Sequence, residues 1–439
     1  MLFDRYAKLK KSIPDGAVHT GLKQVMPFLQ GKLEKCDPPA LVVEPANLEE
    51  LCKTIEFAAE KHLKIAVSNG LSPASVNGLG DQILVLTSRF NGLLNYSKTR
   101  SSMRVDSGMP IETLAVELAS HGQRWMPMHP VPAGDSVGSL IASSWEGFRN
   151  WRDGNTMSNI RAIEWVGFDG RVYLSGSALA GVESPDVSSL LFGSRGMYGI
   201  ITSVELAVKP LPDARILTLF ELPGAAKAVE LLHYLRAIDP APEAVVYFSE
   251  LATEILRSAN DHTLSDTARV VIAAEWDTEY ELAQEWDHYA RTEADPKAVN
   301  SIWQDLFRLP KAATRLSPYR TTARMKLPAV AIEDLEERSR DLSKDYNLGV
   351  ACWGTLEQGH LHVWILQPDG EARTNRQASE LLKKLAEDAA RLGGCLLDTT
   401  PVNILNLQDT ADDELSIQIS EKLLKQCDPM AMYLPLRTN

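Results

Sequence analysis

The amino-acid sequence predicts an α+β protein of two successive domains, and three observations predict it. Between residues 41 and 67 a short apolar strand, an amphipathic helix and a second strand follow one another through short connections, as in a parallel crossover. At Lys209-Pro210-Leu211-Pro212 the pattern is interrupted by two prolines, a natural boundary. Beyond it, β-branched runs alternate with helical periodicity, the texture of helices laid over one face of an antiparallel sheet. With 439 residues, 44% hydrophobic and 23% charged, the chain has material for two cores.

Residues 1–38 mix charge, Gly and Pro and read as a short helix followed by an irregular segment. Leu41-Val42-Val43 is a buried strand stopped by Pro45. Asn47 is placed to cap a helix whose first turn holds Glu49 and Glu50. Leu51, Ile55 and Ala58 then recur at helical spacing, and Lys64-Ile65-Ala66-Val67 is the next strand. A loop rich in Gly, Ser, Pro and Asn follows, then a strand at 83–87, a hairpin at 90–107 and a helix at 110–121. A short helix spans 136–144, and a second hairpin at 160–174 turns at Asp169-Gly170. The helix-like run from Val187 to Phe192 enters a turn with Gly193, Gly196 and Gly199, and a strand at 199–209 closes the first domain, expected over 39–212. The second domain, expected over 213–395, shows strands near 215–221, 243–249, 268–275, 320–326, 347–353 and 360–366. Helices are expected near 224–237, 277–291, 330–343 and 374–392. Residues 294–320 fit either a lid or a long surface loop. The last segment, 396–439, holds a helix from about 415, then Asp428-Pro429 and a tail.

A net charge of −13 argues against a general nucleic-acid binder, which shows a basic face. The five cysteines, Cys36, Cys52, Cys352, Cys395 and Cys427, form no C-x-x-C pair, so neither a disulfide framework nor a zinc or iron–sulfur ligand set is expected. The first residues, MLFDRYAKLKKSIPDG, lack the apolar core of a secretory signal. No apolar run approaches the roughly 20 residues of a membrane span. The expected location is the cytoplasm, with any membrane attachment made through partner subunits.

Several segments have the residue types that hold anions or move protons. Ser68-Asn69-Gly70-Leu71-Ser72 follows a strand and can offer backbone N–H groups and hydroxyls to a phosphate; it can equally be an ordinary turn. Gly134-Asp135-Ser136-Val137-Gly138-Ser139 opens a helix whose first N–H groups and partial positive charge suit an anion, although Asp135 opposes one. Gly193, Gly196 and Gly199 at three-residue spacing, with Ile200 and Ile201 after them, let a backbone approach a ligand. Arg149 and Arg152, beside Asp153, can fork around a carboxylate or pyrophosphate, or can be surface arginines. His360 and His362 lie two apart on a strand and so share a face; two such histidines can bind a metal but are more often half-exposed strand residues, and no metal site is assigned.

The order "Asp, apolar helix, Leu-Phe-x-Gly-Ser-x-Gly-x-x-Gly-Ile-Ile-Thr" over 186–202 resembles the FAD-binding domain of the FAD-linked oxidases of the vanillyl-alcohol oxidase / p-cresol methylhydroxylase type. The resemblance runs from about Pro39 to Pro212. It implies a two-part FAD-binding domain followed by an α+β, ferredoxin-like cap domain for substrate, with the C-terminal segment returning to the FAD domain. It implies FAD held by Ser68 to Ser72, Gly134, Ser136 to Ser139, Arg149, Asp153, Gly193, Gly196, Gly199, Ile200 and Ile201. Non-covalent FAD is expected, because the first loop lacks the histidine with which some relatives attach it. Gly359-His360-Leu361-His362 resembles "Gly-Asn-Leu-His" of FAD-linked 2-hydroxy-acid dehydrogenases, which implies His362, with His360 and Arg152, at the substrate; the Glu-His pair of those enzymes is replaced by the stretch ending in Asp398. In flavour the chain is similar to the glycolate oxidase small flavin subunit and the D-lactate dehydrogenases. The implied activity is oxidation of a small 2-hydroxy acid such as glycolate or D-lactate, with electrons passed to flavin and iron–sulfur partner subunits. The alternative is a catalytically silent subunit on the same fold that supports an active paralogue.

Overall fold

The computed structural model describes residues 6–14, 17–29, 41–71, 82–125, 134–145, 147–152, 154–176, 187–212, 214–259, 264–355, 360–400 and 414–434. The chain divides into two units, one of 1–147, 156–211 and 413–439, the other of 148–155 and 212–412.

Among the described residues the first unit contains three sheets, of four, five and two strands. Helix α1 (Ala7–Ser12), strand β1 (Ala17–Thr20) and the single turn α2 (Leu22–Val25) precede β2 (Leu41–Glu44), helix α3 (Leu48–Glu60), β3 (Lys64–Ser68) and β4 (Gln82–Leu86). The Asn47 side chain accepts the Glu50 N–H at 3.0 Å, as its position before the apolar periodicity requires. Leu51, Ile55 and Ala58 pack on Leu41, Ile65 and Ile83. Each such large aliphatic side chain contributes about 1.5–3 kcal/mol on burial. The sheet order is β1-β2-β4-β3, with β2, β4 and β3 parallel and β1 antiparallel to β2. The segment before residue 39 is therefore more regular than its composition suggests, because β1 finds an open edge of β2 to pair with.

The second sheet follows. Its stretch of chain runs in order through β5 (Leu93–Ser97), β6 (Ser102–Asp106), α4 (Ile111–Ser120), the two-residue β7 (Gln123–Arg124), α5 (Val137–Ala142), β8 (Ile160–Val166), β9 (Val172–Gly176), β10 (Ile200–Ala207) and the two-residue β11 (Lys209–Pro210). The antiparallel order is β5-β6-β10-β8-β9, and β11 pairs with β7. The run expected as a helix before the glycine turn is only a 3₁₀ turn, Ser188–Leu191.

The second unit is built on one eight-stranded sheet. Its elements are β12 (Ile216–Leu222), α6 (Ala225–Ala237), β13 (Ala244–Phe248), α7 (Glu250–Ala259), β14 (Val270–Trp276), α8 (Gln284–Asp287), β15 (Ala290–Glu293), α9 (Pro296–Leu306) and α10 (Leu309–Leu316). Then come β16 (Tyr319–Lys326), α11 (Ile332–Tyr346), β17 (Gly349–Thr355), β18 (His360–Gln367), α12 (Ala372–Arg391) and β19 (Cys395–Thr400). The order β15-β12-β14-β13-β17-β18-β16-β19 is two ferredoxin-like arrangements side by side. Counted from its own first strand, each half reads 4-1-3-2, and the halves join where β13 pairs with β17. Helices cover both faces rather than one. Leu231 of α6, Leu335 of α11 and Leu381 of α12 share a core with Ile272 and Val363, while Ile255 of α7, Trp303 of α9 and Ala313 of α10 share one with Val271 and Phe248. Every residue of β14 is buried accordingly.

Two expectations change here. The helix expected at 277–291 shrinks to α8, because 290–293 pairs with β12 as an edge strand and that pairing outweighs a weak helical pattern. The segment 294–320 is neither lid nor loop. The Asp295 carboxylate caps α9 by accepting from Lys297 and Ala298 N–H, with Pro296 in the first helical turn, and α10 follows. The chain then returns to the first unit with α13 (Glu414–Cys427), after which Tyr433 bridges to Ile65 beside β3.

Candidate functional site

In the first unit, three of the singled-out segments meet at the end of β3. The Asn69 Nδ2 donates to the Gly134 carbonyl at 3.1 Å, tying the first loop to the second. Within its own loop Asn69 accepts the Leu71 N–H, and the Ser68 hydroxyl accepts the Gly70 N–H at 3.3 Å. The glycine turn docks on α5 through the Gly193 N–H to the Ile141 carbonyl and the Arg195 N–H to the Ala142 carbonyl. A Cβ on Gly196 would lie 3.9 Å from Val67, next to the same loop. Ser72 lies outside the described residues.

The glycines there have different reasons. Gly134 (φ 79°) has nothing within 4 Å of where a Cβ would stand, and Gly196 (φ 87°) nothing closer than 3.8 Å, so both leave open ground beside a left-handed backbone. Gly199 (φ 132°) is packing: a Cβ would stand 2.3 Å from the Val166 carbonyl oxygen of β8. Gly138 is likewise filled from within, its Cβ position lying 2.9 Å from the Ser107 Cβ. Ile200 and Ile201 are buried in two of the unit's cores.

The start of α5 is not the open anion site that its sequence suggests. The Val137 N–H goes to the Met109 carbonyl and the Gly138 N–H to the Ser107 carbonyl at 2.7 Å. Ser136 and Ser139 form a reciprocal capping box that takes both their N–H groups. The Ser139 hydroxyl also donates to Asp135, whose carboxyl is pushed up by burial, against that hydrogen bond and with Glu112 adding to it. Two residues that spacing does not single out complete this edge. Arg195 holds a left-handed backbone (φ 53°) inside the glycine turn, and its carbonyl accepts the Tyr433 hydroxyl at 3.3 Å. Burial raises the Tyr433 phenol. For a flavin dinucleotide the fit is therefore at the open backbone of Gly134 and Gly196 beside the Asn69 amide, not at the helix start; Gly70 is hemmed in by Ser88 and Leu86.

In the second unit the arginines are committed. The Arg149 guanidinium donates to Glu275 at 2.6 Å, and Arg152 donates to Glu243 at 2.6 Å and to both oxygens of Asp277 at 2.8 Å. Arg215 adds a fork to Glu275, which also accepts from the Trp303 indole. Glu243 and Glu275 are 1% and 0% exposed, so these pairs are buried on the acid side. Arg149 and Arg152 thus bind the chain's own carboxylates rather than a ligand's, and Asp153 lies outside the described residues. The His362 ring stacks on Trp353 at 4.4 Å and 15°. It sits in register opposite Arg324, as His360 does opposite Lys326. Among the described residues no three His, Cys, Asp or Glu side chains gather as a metal group.

Residues 39–175, most of the first unit's two larger sheets, match the FAD binding domain family. D-2-hydroxyglutarate dehydrogenase of Xanthomonas citri pv. viticola is 23% identical over 412 residues, 85% of this chain and 86% of that protein. Glycolate oxidase subunit GlcD of Escherichia coli K12 is 24% identical over 378 residues, 82% of this chain and 74% of that protein. The structure of p-cresol methylhydroxylase with substrate bound superposes with a TM-score of 0.70 at 14% identity, over 97% of this chain and 94% of that one, a likeness of fold. The chain thus carries an FAD binding domain over residues 39–175 and is an oxidoreductase similar to the 2-hydroxy-acid dehydrogenases and oxidases. No helix among the described residues is long and apolar enough to cross a membrane.

Proposed function

We propose that this protein oxidises a small 2-hydroxy acid such as glycolate or D-lactate with non-covalent FAD and hands the electrons to a partner subunit in the cytoplasm. The observation that carries it is the convergence of Asn69, Gly134 and the Gly193–Gly196 turn at one strand end. FAD, when bound, supplies the acceptor for a hydride from the substrate's α-carbon. Asn69 and the open backbone of Gly134 and Gly196 hold the dinucleotide. His362, kept flat against Trp353, orients the substrate hydroxyl. Arg152 is not given a part, because Asp277 and Glu243 engage it. A partner subunit is inferred from the scattered cysteines, which offer no iron–sulfur ligand spacing, and from GlcD, which is itself named a subunit.

The purified protein should be yellow. Acid precipitation should leave the colour in the supernatant, since no His, Cys or Tyr stands between Val67 and Gly78; colour in the pellet overturns the non-covalent reading. His362→Ala should lower dye-linked oxidation of glycolate or D-lactate at least about tenfold with FAD content intact. Unchanged turnover removes His362 from the site. The closed start of α5 and the half-buried Asp135 favour a second reading, a silent subunit with little FAD. On that reading the protein is colourless and shows no dye-linked activity, and Asp135→Asn, which removes the opposing charge, improves FAD uptake.

A further inference from the structure

In the first unit, strand β3 is last in the four-stranded sheet and has β4 on one side only. The segment after α13 runs along its other side. The Ile65 N–H donates to the Met432 carbonyl at 2.7 Å and the Leu434 N–H to the Ile65 carbonyl at 2.8 Å, a parallel pairing. The segment takes this course because of Asp428, which is 6% exposed. Its two carboxylate oxygens accept the Met432 and Tyr433 N–H groups at 2.7 and 2.8 Å. The Lys64 ammonium donates to the Ala431 carbonyl, and Met432 enters the core that holds Ile65 and Phe168. Covering an open strand edge is one service of this arrangement.

Edge cover alone does not call for the placement of Tyr433. The residue is half-buried, unlike Met432 before it, and its ring lies 6.2 Å from that of Phe168. Its hydroxyl donates to the Arg195 carbonyl inside the glycine turn at 3.3 Å. At Gly196 the place of a missing Cβ is bounded by the Tyr433 ring and by Val67, each at 3.9 Å, and by the Gly199 carbonyl at 3.8 Å. The hollow there is walled but not filled, and Val67 leads directly into Ser68 and Asn69 of the first loop. The contact also joins two strained stretches. Arg195 on one side (φ 53°) and Ala431 on the other (φ 50°) hold left-handed backbones without being glycine. Such backbones persist only where their surroundings over-determine them, and they gather at ligand clamps. Here the Arg195 N–H is fixed on the Ala142 carbonyl, and Asp428 fixes the residues that follow Ala431.

We propose that residues 428–434 form a wall of the FAD site and that Tyr433 is its contact residue, with its ring turned to the dinucleotide at the Gly196 hollow. The inference rests on the reading of this strand end as the place that holds FAD. It adds to that site a residue 238 positions away from the turn it meets. Docking of the segment and binding of FAD then favour each other. If FAD is held more tightly when the segment lies on β3, the segment lies on β3 more firmly when FAD is held, by the same factor.

The test titrates the flavin-depleted full chain with FAD and reads the quenching of flavin fluorescence. Tyr433→Ala should weaken FAD binding at least about tenfold, the size of one aromatic contact to a heterocyclic base. Tyr433→Phe keeps the ring and loses one long hydrogen bond, so it should stay within about threefold of wild type. Circular dichroism shows whether each variant is folded. Hydrogen exchange of the 428–434 peptide in the wild-type chain, with and without FAD, needs no variant at all. FAD should slow that exchange, and Asp428→Asn should speed it and weaken FAD together. Equal FAD affinity in wild type and Tyr433→Ala, or exchange of 428–434 indifferent to FAD, overturns the proposal and leaves the FAD reading in place. A loss in Tyr433→Phe as large as in Tyr433→Ala also overturns it, since the hydroxyl's hold on Arg195 would then be the whole effect. Absence of FAD uptake by wild type and variants alike overturns the FAD reading and the wall with it.

Discussion

The two halves of the eight-stranded sheet share one strand order and treat their cations in opposite ways. In the first half Arg149, Arg152 and Arg215 converge on Glu243, Glu275 and Asp277, and Glu275 has no solvent exposure at all. In the second half the basic side chains of β16 face histidines in register and stay half-exposed. The difference teaches where a charge can be left opposite its like. A carboxylate wholly out of water needs partners at every oxygen, and Glu275 has two arginines and an indole. A cation that keeps part of its hydration tolerates a basic neighbour at small cost.

Breaking the first half's network should produce the largest effect. Glu275→Ala strands Arg149 and Arg215 beside an empty, buried site and should cost about 3–5 kcal/mol of unfolding free energy, measured by urea titration. Glu275→Gln keeps the shape and the acceptor oxygen and should cost less. If the alanine variant loses under about 1 kcal/mol, those pairs behave as surface pairs and the contrast between the halves collapses.

That network also marks the limit of what the sequence reveals. The crossover from β2 through α3 to β3 is legible because Asn47, the glutamates after it and the spacing of Leu51, Ile55 and Ala58 are all local signals. The hairpins at 90–107 and 160–174 are legible for the same reason, and so is the glycine turn. The partners of Arg149 and Arg152 lie 126 and 91 residues away, and no spacing rule connects them. Nothing in the composition of 148–155 ties it to the second unit. The repeated 4-1-3-2 order is equally hidden, since it arises from strand pairings such as β16 with β19 and leaves no period in the residues. Gly199 shows a subtler gap: the residue is conspicuous, but a glycine kept clear for a ligand and one kept clear for the Val166 carbonyl look identical in sequence. By contrast, Asp295-Pro296 was a readable helix start inside a segment whose prolines and basic residues suggest a loop.

The seam between the halves should show an effect of intermediate size, and a pH dependence. Tyr247 of β13 donates to Glu336 of α11; the tyrosine is buried and the glutamate half-buried. Burial raises the Glu336 carboxyl, against the tyrosine hydrogen bond and with Glu250 adding to the rise. A carboxyl whose folded pKa exceeds its unfolded one binds more protons in the folded state. Its contribution is therefore complete below the ordinary glutamate value of about 4.3 and is lost as pH climbs through the raised value. Each unit of that shift is worth about 1.4 kcal/mol. Unfolding free energy measured from pH 4 upward should fall across that window in the wild type, and Glu336→Gln should flatten the fall. An unchanged slope in the variant would assign the pH dependence to another group.

The smallest effect should be on stability in the second half, and its sign carries the information. Lys326→Gln removes an exposed cation that faces His360 in the register, so it should leave unfolding free energy within about 0.5 kcal/mol of wild type or raise it slightly. If Lys326→Gln instead destabilises the protein by 3 kcal/mol or more, a loss of the order of about 3–5 kcal/mol seen for broken buried pairs, then Lys326 is part of a structural network like the arginines of the first half.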